Sequence, residues 1–129
     1  MNEVILSIGS NVTPRRARVA EALAVMQGLL TDSVASGIYE TPEIHGIGRP
    51  YMYAVIYGRT DLDRYGLKDV AKKIEVEAGR DDAARSRGDV PVDIDIVVWN
   101  GDVVRPNDFR QSFFRIGVGM IGVLKSNRS

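Results

Sequence analysis

The chain has 129 residues, 44% hydrophobic and 26% charged, which is typical of one soluble globular domain. Its 17 basic and 17 acidic residues give a formal net charge of zero, which argues against a general nucleic-acid binder. The absence of cysteine excludes disulfides, thiolate zinc sites and cysteine nucleophiles. Because we find neither a membrane-spanning apolar stretch nor a secretory signal pattern, we expect a cytoplasmic single domain without membrane partners.

The chain begins with a predicted strand and a predicted helix. Residues 4–8 are short, β-branched and apolar, and a Gly-Ser-Asn turn follows them, which is typical of a central strand. Thr13 and Pro14 favour a helix start, with the threonine as the cap and the proline in the first turn. Apolar residues at helical spacing continue this helix to about Leu30.

Two further strands are predicted on either side of a loop. Residues 33–39 favour a strand that ends at Thr41-Pro42, and residues 43–50 form a loop with two glycines and a proline. Residues 51–59 are rich in aromatic and β-branched side chains, which favours a third strand.

The second half of the chain predicts a helix, a polar loop and a hairpin. Residues 67–80 have an apolar stripe at helical spacing, and a glycine marks the helix end. Residues 81–90 are polar and without periodicity, so we expect a loop that is mobile without ligand. Residues 92–99 form a strand, and Asn100-Gly101 favours a hairpin that returns residues 102–104 antiparallel.

The resulting order of elements, β-α-β-β-α-β-β, defines the expected fold class. It predicts an α+β, ferredoxin-like βαββαβ sandwich with an extra antiparallel strand. The tail from Asn107 is ambiguous, because residues 115–124 could be a helix weakened by three glycines or an extended segment.

Two carboxylates interrupt the last long apolar strand. Side chains alternate along a strand, so Asp93 and Asp95 share one face and lie about 6.6 Å apart. Such neighbours raise each other's pKa unless a cation neutralises them, and carboxylate oxygens suit Mg²⁺, which takes phosphates as further ligands. The alternative is that the pair belongs to the polar face of an amphipathic strand.

The polar loop immediately before this strand contains Arg80, Arg85 and Arg87. A metal-binding carboxylate pair beside flexible arginines is the arrangement that polyphosphate binding requires. Arg80 alone has a second interpretation, as a cation that complements the dipole at a helix C-terminus.

Five segments in order resemble a known family: ILSIGSNV, IYETP, RPYMYAV, IEVEAGR and VDIDIVVWNGDVV. Together they cover roughly residues 3–104. The chain resembles the 6-hydroxymethyl-7,8-dihydropterin pyrophosphokinases of the folate pathway. The resemblance implies a ferredoxin-like core and transfer of pyrophosphate from ATP to the pterin hydroxymethyl group, with release of AMP. It also implies two Mg²⁺ ions between the triphosphate and the pair Asp93 and Asp95.

The resemblance also implies further site residues, with Arg80 beside the aspartates in catalysis. The nucleotide side then contains one acid and five arginines: Glu75, Arg80, Arg85, Arg87, Arg110 and Arg115. The last four arginines could replace positive charges that the family carries at other positions. The pterin side contains the first turn, the end of the second strand and two tyrosines: Gly9, Asn11, Thr41, Pro42, Tyr51 and Tyr53. Without the resemblance, these residues would also fit plain turns, core packing or solvated surface.

The chain departs from the family pattern at several positions. Tyr53 stands where the family has an asparagine that can pair with the pterin amide edge. Asp82, Arg87 and Val90 stand where the family has an arginine, a tryptophan and a second catalytic arginine, and no histidine follows Pro106. Three hypotheses therefore stay open: an active pyrophosphokinase, for this pterin or a related acceptor; a homologue that binds nucleotide, pterin or a protein partner without turnover; and an interaction module that binds neither ligand.

Overall fold

The computed structural model describes residues 1–41 and 48–122 of the chain. The strands are β1 (Asn2–Ser10), β2 (Thr31–Ala35), β3 (Tyr39–Thr41), β4 (Tyr51–Thr60), β5 (Asp93–Trp99) and β6 (Asp102–Val103). The helices are α1 (Arg15–Leu29), α2 (Arg64–Glu77), α3 (Asp82–Ser86), α4 (Pro106–Arg110) and α5 (Ser112–Ile121). None of the helices in these two ranges is both long and apolar enough to cross a membrane.

The strands form one antiparallel sheet in the order β2-β4-β1-β5-β6, and β3 also pairs with β4. The central strand β1 therefore lies between β4 and β5, which follow it much later in the chain. The structure confirms the predicted α+β, ferredoxin-like fold, and β6 is the predicted additional strand.

Alternation along the strands divides the apolar side chains between two clusters on opposite faces of the sheet. Leu6 and Ile56 belong to the cluster under α1 and α2. Ile5 and Val55, one residue away on the same strands, belong to the cluster that α5 covers. The sheet is therefore buried on both faces, and polar residues on either face lie beside a helix.

Two predicted boundaries in the first half of the chain are wrong. The single strand predicted at residues 33–39 is two short strands, β2 and β3, which pair with different parts of β4. Helix α1 begins at Arg15, and the cap position is Pro14, with no side-chain hydrogen bond. The predicted threonine cap is therefore absent, and packing on the sheet determines where this helix lies.

Two segments that the sequence left irregular or ambiguous are helical. The polar loop contains the short helix α3, whose cap Asp81 accepts a hydrogen bond from the Ala84 N–H at 2.8 Å. The expectation of a loop without regular structure is wrong at this point. The ambiguous tail forms α5, which ends at Gly122 in the left-handed conformation (φ 71°).

Gly117 marks the closest approach of α5 to the sheet and generates a stability prediction. A Cβ there would lie 2.6 Å from the Tyr39 hydroxyl and would collide with the Val55 side chain. We expect Gly117→Ala to lower the free energy of unfolding by about 1–3 kcal/mol through overpacking. Gly119→Ala is the matched control, because nothing lies within 4 Å of its Cβ position. It should be neutral or stabilising by up to about 1 kcal/mol. Urea unfolding measures both, and equal effects would contradict this packing.

Candidate active site

The antiparallel register aligns three candidate residues in one row across the sheet. Gly9 of β1 lies opposite Tyr53 of β4 on one side and Asp93 of β5 on the other. Ser7, two residues earlier, lies between Val55 and Asp95 in the same way. Residues that are paired across strands face the same side, so both aspartates and Tyr53 lie on the face that α5 covers.

The carboxylates of Asp93 and Asp95 converge on this face. They are close enough for Asp93 to act directly on the ionisation of Asp95. Ile94 and Ile96, which alternate with them, are buried on the opposite face. Burial, followed by the negative charge of Asp93, raises the pKa of Asp95 to about 8. A cation bound beside the pair would therefore favour the ionised form of Asp95.

Two arginines supply positive charge to the pair. The Arg80 guanidinium lies 2.7 Å from Asp93 Oδ1 and 3.0 Å from Glu75 Oε2. The Arg105 Nε lies 3.8 Å from Asp95 Oδ1 and 2.5 Å from Asp108 Oδ2. Arg80 was predicted at the site, whereas Arg105 was not.

Glu75 of α2 connects the helix to the edge of β5. Its carboxylate accepts a hydrogen bond from the Ile94 N–H at 2.8 Å and also holds Arg80. Burial raises the pKa of Glu75, and the Ile94 N–H and Arg80 oppose that rise. This residue is therefore not on a solvated helix face, because it satisfies an edge N–H of β5 and orients Arg80 towards Asp93.

Two adjoining clefts run between α2 and β5 and share Asp95. The larger, of about 410 Å³, is bounded by both aspartates, Glu75 and four cations: Lys68, Lys72, Arg80 and Arg85. The smaller, of about 250 Å³, extends along Ile94 and Ile96 towards Tyr65 and Arg105. A chain of phosphates in the larger cleft would meet positive side chains on several sides.

The polar loop of residues 81–90, called the arginine loop below because it contains Arg85 and Arg87, is attached to the end of β1 by Asn11. The Asn11 amide donates to the Gly88 carbonyl at 3.0 Å and accepts from the Val90 N–H at 2.7 Å. Asp89 pairs with Arg87 at 2.9 Å and also with Arg49. Arg87 is thus engaged at the base of the loop, while Arg85 lines the larger cleft. The loop's mobility and the pterin contact of Asn11 stay predictions.

Two of the predicted arginines are not brought to this site, and a predicted proline cannot be compared with it. Arg110 donates to the Asn107 side chain at 2.6 Å, and Arg115 lies over the Phe109 ring at 4.6 Å. Both side chains have their partners within α4 and α5 and line neither cleft. Pro42 lies outside the described residues.

An aromatic group occupies the sheet face next to the aspartates. Tyr53 stacks on Tyr51, with ring centroids 5.4 Å apart, and on Phe113 of α5, at 4.4 Å. Burial raises the pKa of Tyr53, and the negative charges of Asp93 and Asp95 add to the rise. Its hydroxyl therefore stays neutral at physiological pH.

Thr41 and Phe113 lie beside the aromatic group of Tyr51 and Tyr53. Thr41 pairs with Tyr51 in register and is only 4% exposed, and its hydroxyl has no hydrogen-bond partner within the described part of the chain. Phe113 was not predicted, since it lies in the tail whose structure the sequence left open. The buried residues of α5 recur at helical spacing, with Phe113 and Gly117, and Phe114 and Val118, four residues apart, and this pattern was the available signal for the helix that carries Phe113.

The fold and site together define a ferredoxin-like α+β protein with a carboxylate pair beside a cation-lined cleft. The sequence matches the 7,8-dihydro-6-hydroxymethylpterin-pyrophosphokinase family over residues 5–120, and the chain belongs to this family.

Plant proteins of folate synthesis are among its curated relatives. A folate synthesis bifunctional protein of Arabidopsis thaliana is 36% identical over 99 residues, which is 75% of this chain and 20% of the relative. A mitochondrial one from the same plant is 35% identical over 100 residues (76% and 18%). A mitochondrial one from Pisum sativum is 33% identical over 106 residues (80% and 20%). This chain therefore spans about a fifth of the length of these relatives.

The carboxylate pair generates a prediction about stability and pH. The pKa of Asp95 is raised to about 8, so its ionisation destabilises the fold progressively as the pH rises from about 4, the ordinary carboxyl value. Asp95→Asn removes this charge. Without divalent cations, we expect the variant to exceed the original chain in stability by about 1–3 kcal/mol at pH 8.5, and by much less at pH 4.5.

Chemical unfolding at these two pH values measures the effect. Asp102→Asn is the control, because Asp102 is an exposed carboxylate in the hairpin strand β6. A stability difference for Asp95→Asn that is the same at both pH values would contradict the electrostatic account of the pair.

Proposed function

We propose that this protein transfers pyrophosphate from ATP to the hydroxymethyl group of 6-hydroxymethyl-7,8-dihydropterin, with Mg²⁺, and releases AMP. The observation that supports it most is the convergent pair Asp93 and Asp95 beside a cleft lined with lysines and arginines. Membership of the pyrophosphokinase family and the folate synthesis relatives favour the same reaction. A cytoplasmic location and the absence of nucleic-acid and membrane partners stay predictions.

The residues of the site fit Mg²⁺ when nucleotide is bound. In residues 1–41 and 48–122, no three acidic, histidine or cysteine side chains form a group that could hold a metal ion. Mg²⁺ ordinarily takes one or two carboxylates and completes its shell with waters and substrate phosphates. Asp93 and Asp95 would supply the protein ligands, and their four oxygens suffice for the proposed two ions. Bound there, the metal would neutralise charge on the triphosphate.

The cations of the larger cleft bind and orient the phosphates in this proposal. Arg80 is held by Glu75 as well as by Asp93, so it keeps a fixed partner when Asp93 takes another ligand. Lys68 and Lys72, one turn apart on α2, and Arg85 of α3 line the same cleft. Positioned charges of this kind stabilise negative charge on a transferring phosphoryl group, which lowers the barrier.

The proposed reaction exchanges one bond to phosphorus for another. The acceptor hydroxyl oxygen forms a bond to the β-phosphorus of ATP and gives up its proton. The bond between the β-phosphorus and the oxygen that bridges it to the α-phosphorus breaks, and AMP leaves with that oxygen. The chain's contribution is to hold both reactants next to the carboxylate pair and to surround the transferred group with positive charge.

The buried hydroxyl of Thr41 supports an acceptor on the same face. Buried polar groups nearly always have a hydrogen-bond partner, so a buried hydroxyl without one calls for an explanation such as a functional contact. Thr41 Oγ1 has none within the described residues, and Thr41 shares its sheet face with Tyr51 and Tyr53. A polar heterocycle at this place would give that hydroxyl a partner.

A second candidate function is binding without turnover, of nucleotide, pterin or a protein partner. The observation that favours it is that Arg110 and Arg115, the proposed substitutes for the family's later phosphate contacts, turn to partners in α4 and α5. Tyr53 also replaces the family's asparagine. Such a protein would keep the carboxylate pair for Mg·ATP yet form no AMP.

The first functional prediction concerns AMP formation. The protein, incubated with ATP, Mg²⁺ and 6-hydroxymethyl-7,8-dihydropterin, should form AMP that depends on all three, as measured by chromatography. Asp93→Ala and Asp95→Ala should each lower the rate at least about 100-fold, because each removes charge that acts on the transferred group. Asp102→Ala, an exposed position in β6, should match the original rate. Folded protein without AMP formation would exclude the enzyme and leave the second candidate.

The second functional prediction concerns nucleotide binding alone. The α,β-methylene analogue of ATP cannot be cleaved at the bond that the reaction breaks. At about 100 times its Kd it should stabilise the protein by about 2.7 kcal/mol, seen as a rise in Tm that requires Mg²⁺. Asp93→Ala should lose this rise, and Asp102→Ala should keep it. Stabilisation without Mg²⁺, or none in either condition, would contradict the proposed role of the carboxylate pair.

A further inference from the structure

The three-ring stack next to the aspartates is built around Tyr53. Its ring contacts Tyr51 at 5.4 Å with an interplanar angle of 15°, and Phe113 at 4.4 Å with an angle of 16°. Tyr51 and Phe113 come from β4 and α5, so Tyr53 is the ring that joins the sheet side of the group to the helix side. All three rings are nearly parallel, which is the arrangement that a bound planar heterocycle would also adopt.

Gly9 provides the surface on which the Tyr53 ring lies. A Cβ on Gly9 would come within 2.5 Å of Tyr53 Cε1, so the ring is in direct contact with the backbone of β1. Asp93 is the register partner of Gly9 on its other side. Strand β1 therefore separates the Tyr53 ring from Asp93. Because the β1 residue between them is Gly9, no side chain lies there.

The chemistry of the proposed function places the acceptor at the same position. Its hydroxyl oxygen must reach the β-phosphorus held beside Asp93 and Asp95, so its ring must lie on this face within a few ångströms of the pair. A planar heterocycle is held best between aromatic rings. In the described part of the chain, Tyr53 is the ring that the register places in line with Asp93, through Gly9, and Tyr51 and Phe113 are the rings that stack on it.

We propose that the Tyr53 ring occupies part of the acceptor position, so that the pterin binds only by displacing Tyr53 from its stack with Phe113. Tyr53 is then a specificity-determining residue that weakens acceptor binding without taking part in nucleotide binding. The inference rests on the proposed function, since it concerns the acceptor of that reaction. It assigns the effect to the ring and not to the hydroxyl, because the stacking contacts are made by the ring.

The variants Tyr53→Val and Tyr53→Phe separate these two parts of the side chain. Valine removes the ring, suits a strand and adds no hydrogen-bonding group that could itself bind the pterin. Phenylalanine keeps the ring and removes only the hydroxyl. The probe is 6-hydroxymethylpterin, titrated by its fluorescence in the presence of Mg²⁺ and α,β-methylene ATP, whose own affinity is measured separately by calorimetry.

We expect Tyr53→Val to bind the pterin about tenfold more tightly than the original chain, and Tyr53→Phe to stay within about twofold of it. The Kd of the Mg·nucleotide should be unchanged in both. Equal pterin affinity of Tyr53→Val and the original chain would overturn the inference and leave the proposed function intact. Absence of pterin binding to every variant would overturn both.

A measurement on the unaltered chain tests the same inference if Tyr53→Val does not fold. In the free protein, nuclear Overhauser effects between the ring protons of Tyr53 and Phe113 should be observed, because the centroids are 4.4 Å apart. These effects should disappear when the protein is saturated with the pterin and Mg·nucleotide. Their persistence in the saturated complex would overturn the proposed displacement.

Discussion

The burial of two neighbouring carboxylates, Asp93 and Asp95, on one sheet face is the constraint on which the rest of the site depends. The strand period places both carboxylates on one face, and partial burial there makes their charge costly unless cations oppose it. Arg80, which follows α2, pairs with Asp93, and Arg105, which follows β6, lies beside Asp95. Glu75 in turn holds Arg80 and satisfies the edge of β5. A register slip of one residue would turn both carboxylates into the apolar cluster under α1 and α2, so the site and the sheet register require each other.

The end of β1 connects the two sides of the site through Gly9 and Asn11. Gly9 leaves room for the Tyr53 ring, while Asn11 holds the end of the arginine loop through Gly88 and Val90. The sequence resemblance assigned both to the pterin side, and the structure adds a second task for Asn11. Movement of the loop would therefore act on the same end of β1 that carries the Tyr53 ring.

Patterns of neighbouring residues were sufficient to predict the fold and the aspartate pair. They were not sufficient to predict which distant side chains contact the site. Alternation and the order of elements need only neighbouring residues, and both the ferredoxin-like order and the shared face of Asp93 and Asp95 agree with the structure. Phe113 is 60 residues from Tyr53 in the chain, so their stacking depends on how α5 crosses the sheet. Arg105 reaches Asp95 only because the hairpin reverses the chain. Helix α3 is different, since Asp81 three residues before Ala84 is a local capping signal.

The departures from the family pattern divide into two kinds with separable consequences. In the proposed reaction, Tyr53 acts on the acceptor side, where displacing a stacked ring costs about 0.5–1.5 kcal/mol, which lowers affinity by up to about tenfold. Changes in the arginine loop act on charge that develops during phosphoryl transfer, where one lost cation costs two or more orders of magnitude in rate. The first kind changes KM for the acceptor, and the second changes kcat. Both kinds of departure are present in this chain, because Tyr53 lies in the ring stack with Phe113 whereas Arg87 of the arginine loop is engaged with Asp89. The ratio of the two kinetic effects therefore measures which departure dominates in the proposed reaction.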